Sequence, residues 1–195
     1  MLVIVILQSA PPFLTFDPAT ESIAPLNPRV PALNYFLLVT HVLTGTIAIV
    51  TVCLAVWPWL RIRHMAVHRW IGRAYVFSAL PASLCTLAIN YLRSGWFANV
   101  GAYVEGGVWF LTTLIGYIAM RQRNEARHRR WMLYSFAMCA AVFWGWFLDM
   151  VITPNQTNLP YLMELIRWVG WLTNLLVVKW WLDRTERRVD RYATR

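Results

Sequence analysis

Two of the four histidines in this sequence recur in one pattern. Arg61-x-Arg63-x4-His68-Arg69 and Arg121-x-Arg123-x4-His128-Arg129 repeat at an offset of 60 residues, and each copy leads into an apolar segment through Trp70 or Trp131. A neutral imidazole offers a nitrogen donor that a helix can fix in place, so two of them on facing helices can hold haem iron. Each histidine also begins a helix beside arginines, which equally suits a phosphate or lipid headgroup resting on Arg69, Arg73, Arg129 and Arg130. Interfacial anchoring with loop hydrogen bonds is the third reading. His64 has no repeat partner and reads as a solvated loop residue.

A second constellation lies elsewhere. His41 precedes Arg61 by 20 residues, Glu105 precedes Arg121 by 16, Asn90 follows His68 by 22 and Asp149 follows His128 by 21. At the rise of a helix these four side chains fall about 24 to 33 Å from the arginine-rich loops, in one layer contributed by four segments. Ionisable groups at membrane depth are costly and face the interior in pairs. An imidazole beside a carboxylate can bind a quinone headgroup or pass a proton. A hydrogen-bond cluster that fixes helix register, or a set of residues wet at the interface, fits the same positions. Thr40, Thr44, Ser83 and Thr86 add a mildly polar helical stripe. Cys53, Cys85 and Cys139 lack CxxC or CxxH spacing, so they read as small buried thiols and no metal site is expected.

The elements that must position these residues follow from composition. Of 195 residues, 58% are hydrophobic and 14% charged, where a soluble domain carries about 25% charged residues. Mean hydropathy is +0.46. An all-α polytopic transmembrane bundle of about five spans is the expected fold. Residues 1–32 hold six prolines and form an arm; Met1–Leu7 is too short to span and has no basic lead, which argues against a secretory signal. Spans are expected near 33–60, at 74–92, from about Phe97 to Met120, at 131–148 and at 159–182, with 33–182 as the bundle and 183–195 as a basic tail. Because the two arginine loops have the same topology, spans one and two repeat as three and four, and His68 and His128 would meet at the loop end of a four-helix bundle.

Fifteen of the eighteen basic residues lie between spans one and two, between three and four, or from the last turn of the fifth span onward. This predicts an inner (plasma) membrane protein with its N-terminus outside and its C-terminus in the cytoplasm. Trp57, Trp59, Trp70, Trp131, Trp180 and Trp181 flank the same side, as an interfacial belt does. The net charge of +9 does not indicate nucleic acid, since the bases punctuate apolar segments and do not form a soluble patch.

Three runs, HVLTG at His41–Gly45, HRWIGRAY at His68–Tyr75 and HRRWM at His128–Met132, resemble the bacterial membrane proteins of domain-of-unknown-function family 2306. The likeness covers spans one to four and implies an integral membrane protein, with no activity to lend. Where members carry an arginine shortly after the WM pair, this chain has Tyr134, so no role for that charge is carried over. No GxSxG, P-loop, HExxH or placed GxGxxG is present, which removes hydrolase, ATPase and dinucleotide chemistry. Two expectations remain, and they leave enzymatic activity open. One is a membrane ligand-binding or redox component with a quinone-like or proton-relay site at His41, Asn90, Glu105 and Asp149 and a haem pair at His68 and His128. The other is a non-enzymatic accessory or scaffold subunit of a larger membrane complex, or a lipid-binding protein, whose apolar faces meet lipid or other membrane subunits.

Overall fold

The computed structural model describes residues 31–94, 100–145, 147 and 160–193, and among them every regular element is helical. Helix α1 (Pro31–Val56) is uncharged throughout and opens on a proline, which suits a first helical turn. It ends earlier than the expected residue 60. Pro58 has no N–H and forces Trp57 into an extended conformation (φ −63°, ψ 118°), so a separate short helix α2 (Pro58–Arg63) follows. Helix α3 (Met65–Ser94) starts nine residues before the expected second span, which moves Arg69 and Arg73 from a loop onto a helix. Helix α4 (Val100–Arg121) turns tightly into α5 (Glu125–Cys139). Arg123 takes a left-handed φ of 58°, and the Asn124 side chain accepts the Arg127 backbone N–H at 3.0 Å as an N-cap.

The expected fourth span is not one helix. After Cys139 the backbone tightens, with Ala141 bonding Met138, Phe143 bonding Ala140 and Trp144 bonding Ala141, each three residues back. Helix α6 (Pro160–Ala193) runs past the expected end at Leu182. Among the described residues α1, α3 and α4 are long and apolar enough to cross a membrane.

Helix α1 packs along α3, α3 against α4, α4 against α5, and α5 touches α1, closing a four-helix ring with α6 laid on α5 and α4. The packing is inverted relative to a soluble bundle. Thr113, Ser83, Ser135, Ala48, Ala79 and Ala82 are fully buried, while Phe77 is 73% exposed and Phe36 64%. Small and hydroxylated residues let helices approach closely where lipid offers large side chains an equally apolar surrounding. A Cβ added at Gly170 of α6 would lie 3.0 Å from the Trp144 Cβ and 3.2 Å from its Cγ. Gly170→Ala is therefore expected to destabilise the protein by about 1–3 kcal/mol. The midpoint of unfolding in a detergent titration reads this directly, and an unchanged midpoint would remove α6 from that face.

Around this ring α3 and α5 stand diagonally, and they meet at its centre. The Tyr75 hydroxyl lies 2.5 Å from the Ser135 Oγ, Thr113 Oγ1 lies 2.6 Å from the same Ser135 oxygen, and Trp109 Nε1 donates to Tyr75 at 3.2 Å. Tyr75, Thr113 and Ser135 are each 0% exposed. Their groups satisfy one another, so the cluster locks two hairpins in register in a place where an unpaired hydroxyl would be costly. Tyr75 and Ser135 are themselves 60 residues apart, so the repeat relates the two ends of the central bond.

Candidate functional site

That central bond determines how the repeated histidines stand. His68 precedes Tyr75 by seven residues and His128 precedes Ser135 by seven, two turns along the same helical faces and about 10.5 Å nearer the arginine-rich end. By helical register His68 and His128 lie on the faces of α3 and α5 that carry Tyr75 and Ser135. Each is the fourth residue of its helix, and each backbone N–H closes the first turn, onto His64 at 3.0 Å and Asn124 at 2.9 Å. Both side chains are half-buried, whereas the seven residues before each and the two after it are exposed. The two imidazoles are close enough for their charges to interact.

The second coordination features of the two rings differ slightly. His128 Nδ1 donates to the Gly116 carbonyl at 2.8 Å. A carbonyl only accepts, so the proton sits on Nδ1 and the Nε2 lone pair is available. His68 lies beside the Ala55 carbonyl, next to the position equivalent to Gly116, but its buried Nδ1 makes no formed hydrogen bond. Gly72 falls between His68 and Tyr75 on their shared face, four residues from one and three from the other, and a Cβ there would meet nothing within 4 Å. At the equivalent place in α5, Met132 lays its side chain on Gly116, where an added Cβ would come within 2.7 Å of its sulfur. The sequence reading singled out neither Gly72 nor the Tyr75–Ser135 pair; the 60-residue offset was the available signal for the pair.

The arginines beside the histidines form no pocket of their own. Arg69 and Arg130 are exposed; Arg73 stacks on Trp70 with its guanidinium 4.9 Å from the ring centroid, and Arg129 stacks on Trp181 at 5.3 Å. Trp57, Trp59, Trp70, Trp180 and Trp181 stand exposed around them, as headgroup-level residues do. His64 is exposed, with its ring against Trp59 at 4.7 Å between centroids.

At the opposite end, three of the four expected residues are described. His41 Nδ1 donates to the Ala82 carbonyl at 2.9 Å and lies 3.2 Å from Thr86 Oγ1. Asn90 Nδ2 donates to the Thr86 carbonyl at 2.7 Å. A Cβ on Gly106 would meet Thr86 and Leu87 side-chain atoms at 3.2–3.4 Å, so the turn of α4 that carries Glu105 abuts the same turn of α3. Glu105 is half-buried. Segments of α1, α3 and α4 therefore converge at one level, as the height arithmetic predicts. Asp149 lies outside the described residues. A residue absent from the sequence reading lies about two turns further out on α1: Asn34 is 1% exposed, and neither atom of its amide has a hydrogen-bond partner. Its spacing of seven residues before His41 was the signal available.

Among the described residues no group of three or more His, Cys, Asp or Glu side chains could hold a metal ion by themselves. No curated protein and no solved structure matches the chain. A family model does match, over residues 38–182, which takes in α1 from its second turn, both histidine loops and most of α6. With that match covering most of the sequence and an all-helical bundle with inverted packing beneath it, the chain belongs to the family described as predicted membrane protein (DUF2306).

Proposed function

We propose that the protein is a haem-binding redox component of the membrane, with His68 and His128 as the residues that would hold the iron at the arginine-rich end and the polar layer around His41 as the place of a second ligand. The main support is the Tyr75–Ser135 bond, which joins the faces of α3 and α5 two turns inside the two repeated histidines. Two further features support it: the Gly116 bond at His128 Nδ1 leaves Nε2 as the nitrogen that would meet the iron, and Gly72 leaves open space on the His68 face. When bound between two imidazoles, haem iron supplies one-electron chemistry. The protein's own part is to hold neutral nitrogens in fixed orientation, as His128 does through Gly116. Arg69, Arg73, Arg129 and Arg130 supply cations at the level where porphyrin carboxylates or lipid phosphates emerge.

The test is the absorption spectrum of the full chain purified from bacterial membranes supplied with haem. A Soret band, with visible bands that sharpen on reduction and about one haem per chain, is expected. Protein that is colourless and stays so on titration with haemin would overturn the proposal, leaving the accessory-subunit reading.

The charge distribution supports a plasma-membrane orientation with the arginine-rich end in the cytoplasm. In a Cys53→Ser background, Ser94→Cys is expected to react with an impermeant thiol reagent from outside intact cells, and Arg191→Cys only after the membrane is opened. Labelling of both from one side would remove the five-span orientation.

A further inference from the structure

Resting on the reading of the His41 layer as a ligand site, we infer that its occupant is a neutral, lipid-borne molecule of the quinone and quinol class, and that Asn34 recognises it. Among the described residues five buried side-chain nitrogen or oxygen atoms lack a hydrogen-bond partner. One is on His68 and one on Trp171; the other three, Asn34 Nδ2, Asn34 Oδ1 and the Tyr35 hydroxyl, are together at the end of α1 remote from the arginines. An amide 1% exposed with both edges unfilled is destabilising, and a leucine of similar volume would not be. A group held at that cost is explained by something that fills it.

Helical register shows which face the amide shares. Asn34, His41, Ala48 and Val52 recur at spacings of seven, seven and four, and Asn34, Ala48 and Val52 are 1%, 0% and 3% exposed, so this stripe is the bundle-facing side of α1. Since α1 and α3 run antiparallel and His41 abuts Ala82 and Thr86, Asn34 lies about two turns further out, level with Asn90 and the turns beyond it. The Glu105 turn closes the third side through the Gly106–Thr86 contact. The outer surfaces of these helices are apolar, with Phe36, Leu43 and Ile47 exposed on α1, so a ligand arriving sideways passes through lipid.

The donors and acceptors then select its chemistry. Because His41 Nδ1 carries the proton given to Ala82, its Nε2 accepts, and it bonds nothing among the described residues. The Asn34 amide both donates and accepts. A quinol is matched at both edges, one hydroxyl donating to His41 Nε2 and the other to Asn34 Oδ1; a quinone is matched at Asn34, where its carbonyl accepts from Nδ2.

The experiment uses the purified full chain with decylubiquinone and menadione as probes, reading equilibrium binding and the shift in thermal midpoint. Saturable binding and a raised midpoint are expected. Asn34→Leu is expected to be as stable as the parent or more so without ligand, yet to bind about ten- to a hundredfold more weakly. His41→Gln, whose amide N–H can serve the Ala82 carbonyl while its oxygen lies away from the Nε2 position, is expected to weaken binding at least about tenfold and serves if the leucine variant does not fold. Binding that falls in His41→Gln but not in Asn34→Leu would overturn the role of Asn34 and leave the site standing. No binding of either quinone, with a different neutral lipid extracted from the parent and absent from His41→Gln, would overturn the ligand class alone. No binding and no retained molecule would overturn both. The same binding is expected of protein prepared without added haem, so the outcome does not depend on haem.

Discussion

His68→Ala and His128→Ala are each expected to yield colourless protein, with haem retained per chain lowered by more than about a hundredfold, while His41→Ala and His64→Ala keep the Soret band. Removing an outer hydrogen-bond partner of a metal ligand already costs ten- to a hundredfold in metal affinity, and removing the ligand itself costs more. The equality of the two losses is the informative part. The histidines occupy equivalent places in a 60-residue repeat, each the fourth residue of its helix and each half-buried in an otherwise exposed stretch. An interfacial anchor would behave differently, since each imidazole would then contribute a separate, small and additive amount to stability and none to colour. His41 stands at the far end of α1, bonded to α3 at Ala82, and His64 lies against Trp59 outside the ring. Haem content measured by pyridine haemochromogen, with protein determined independently, checks all four variants. Retention of colour in either His68→Ala or His128→Ala would break the pairing.

The second large effect is expected at the centre of the bundle. Ser135→Leu inserts a branched side chain where Tyr75, Thr113 and the serine itself are all 0% exposed, so the diagonal contact between α3 and α5 must open. Overpacking of this kind costs about 1–3 kcal/mol, to which the lost hydrogen bonds of Ser135 to Tyr75 and Thr113 add about 1–2 kcal/mol together. Because the histidines ride on the same two faces, haem retention is expected to fall with stability even though Ser135 is about 10.5 Å from either ring along its helix. Ser135→Ala provides the contrast, removing the hydroxyl without adding volume. It is expected to cost about 1–2 kcal/mol and to keep haem. A leucine variant that unfolds at the parental midpoint would mean that the two hairpins are not joined there.

Much of this arrangement was legible before any coordinates. The equivalent placing of His68 and His128 on their helices follows from residue spacing, because a repeat that preserves an arginine, a histidine and their intervals also preserves helical face. The level shared by His41, Asn90 and Glu105 follows from counting residues outward from the arginine loops at a fixed rise. Other features were hidden for identifiable reasons. Tyr75 and Ser135 occupy equivalent positions with different side chains, so identity matching passes over them although their hydroxyls meet. The break after Val56 is written in Pro58, whereas the tightened turn at Ala140 has no proline or glycine to mark it. Hydropathy extends a span through alanines and phenylalanines whether or not the backbone stays α-helical. Asn34 was overlooked because it sits two residues into an expected span, where an amide reads as an interfacial residue; only its burial, without a partner, distinguishes it.

The central claim, that His68 and His128 together hold one haem, is tested most directly by the low-temperature electron paramagnetic resonance spectrum of the oxidised, purified full chain. Two imidazoles on ferric iron give a strong ligand field, so a low-spin signal is expected, accounting for about one iron per chain and lost in His68→Ala and His128→Ala alike. A high-spin ferric signal in the parent protein, or a low-spin signal that survives both substitutions, would contradict it.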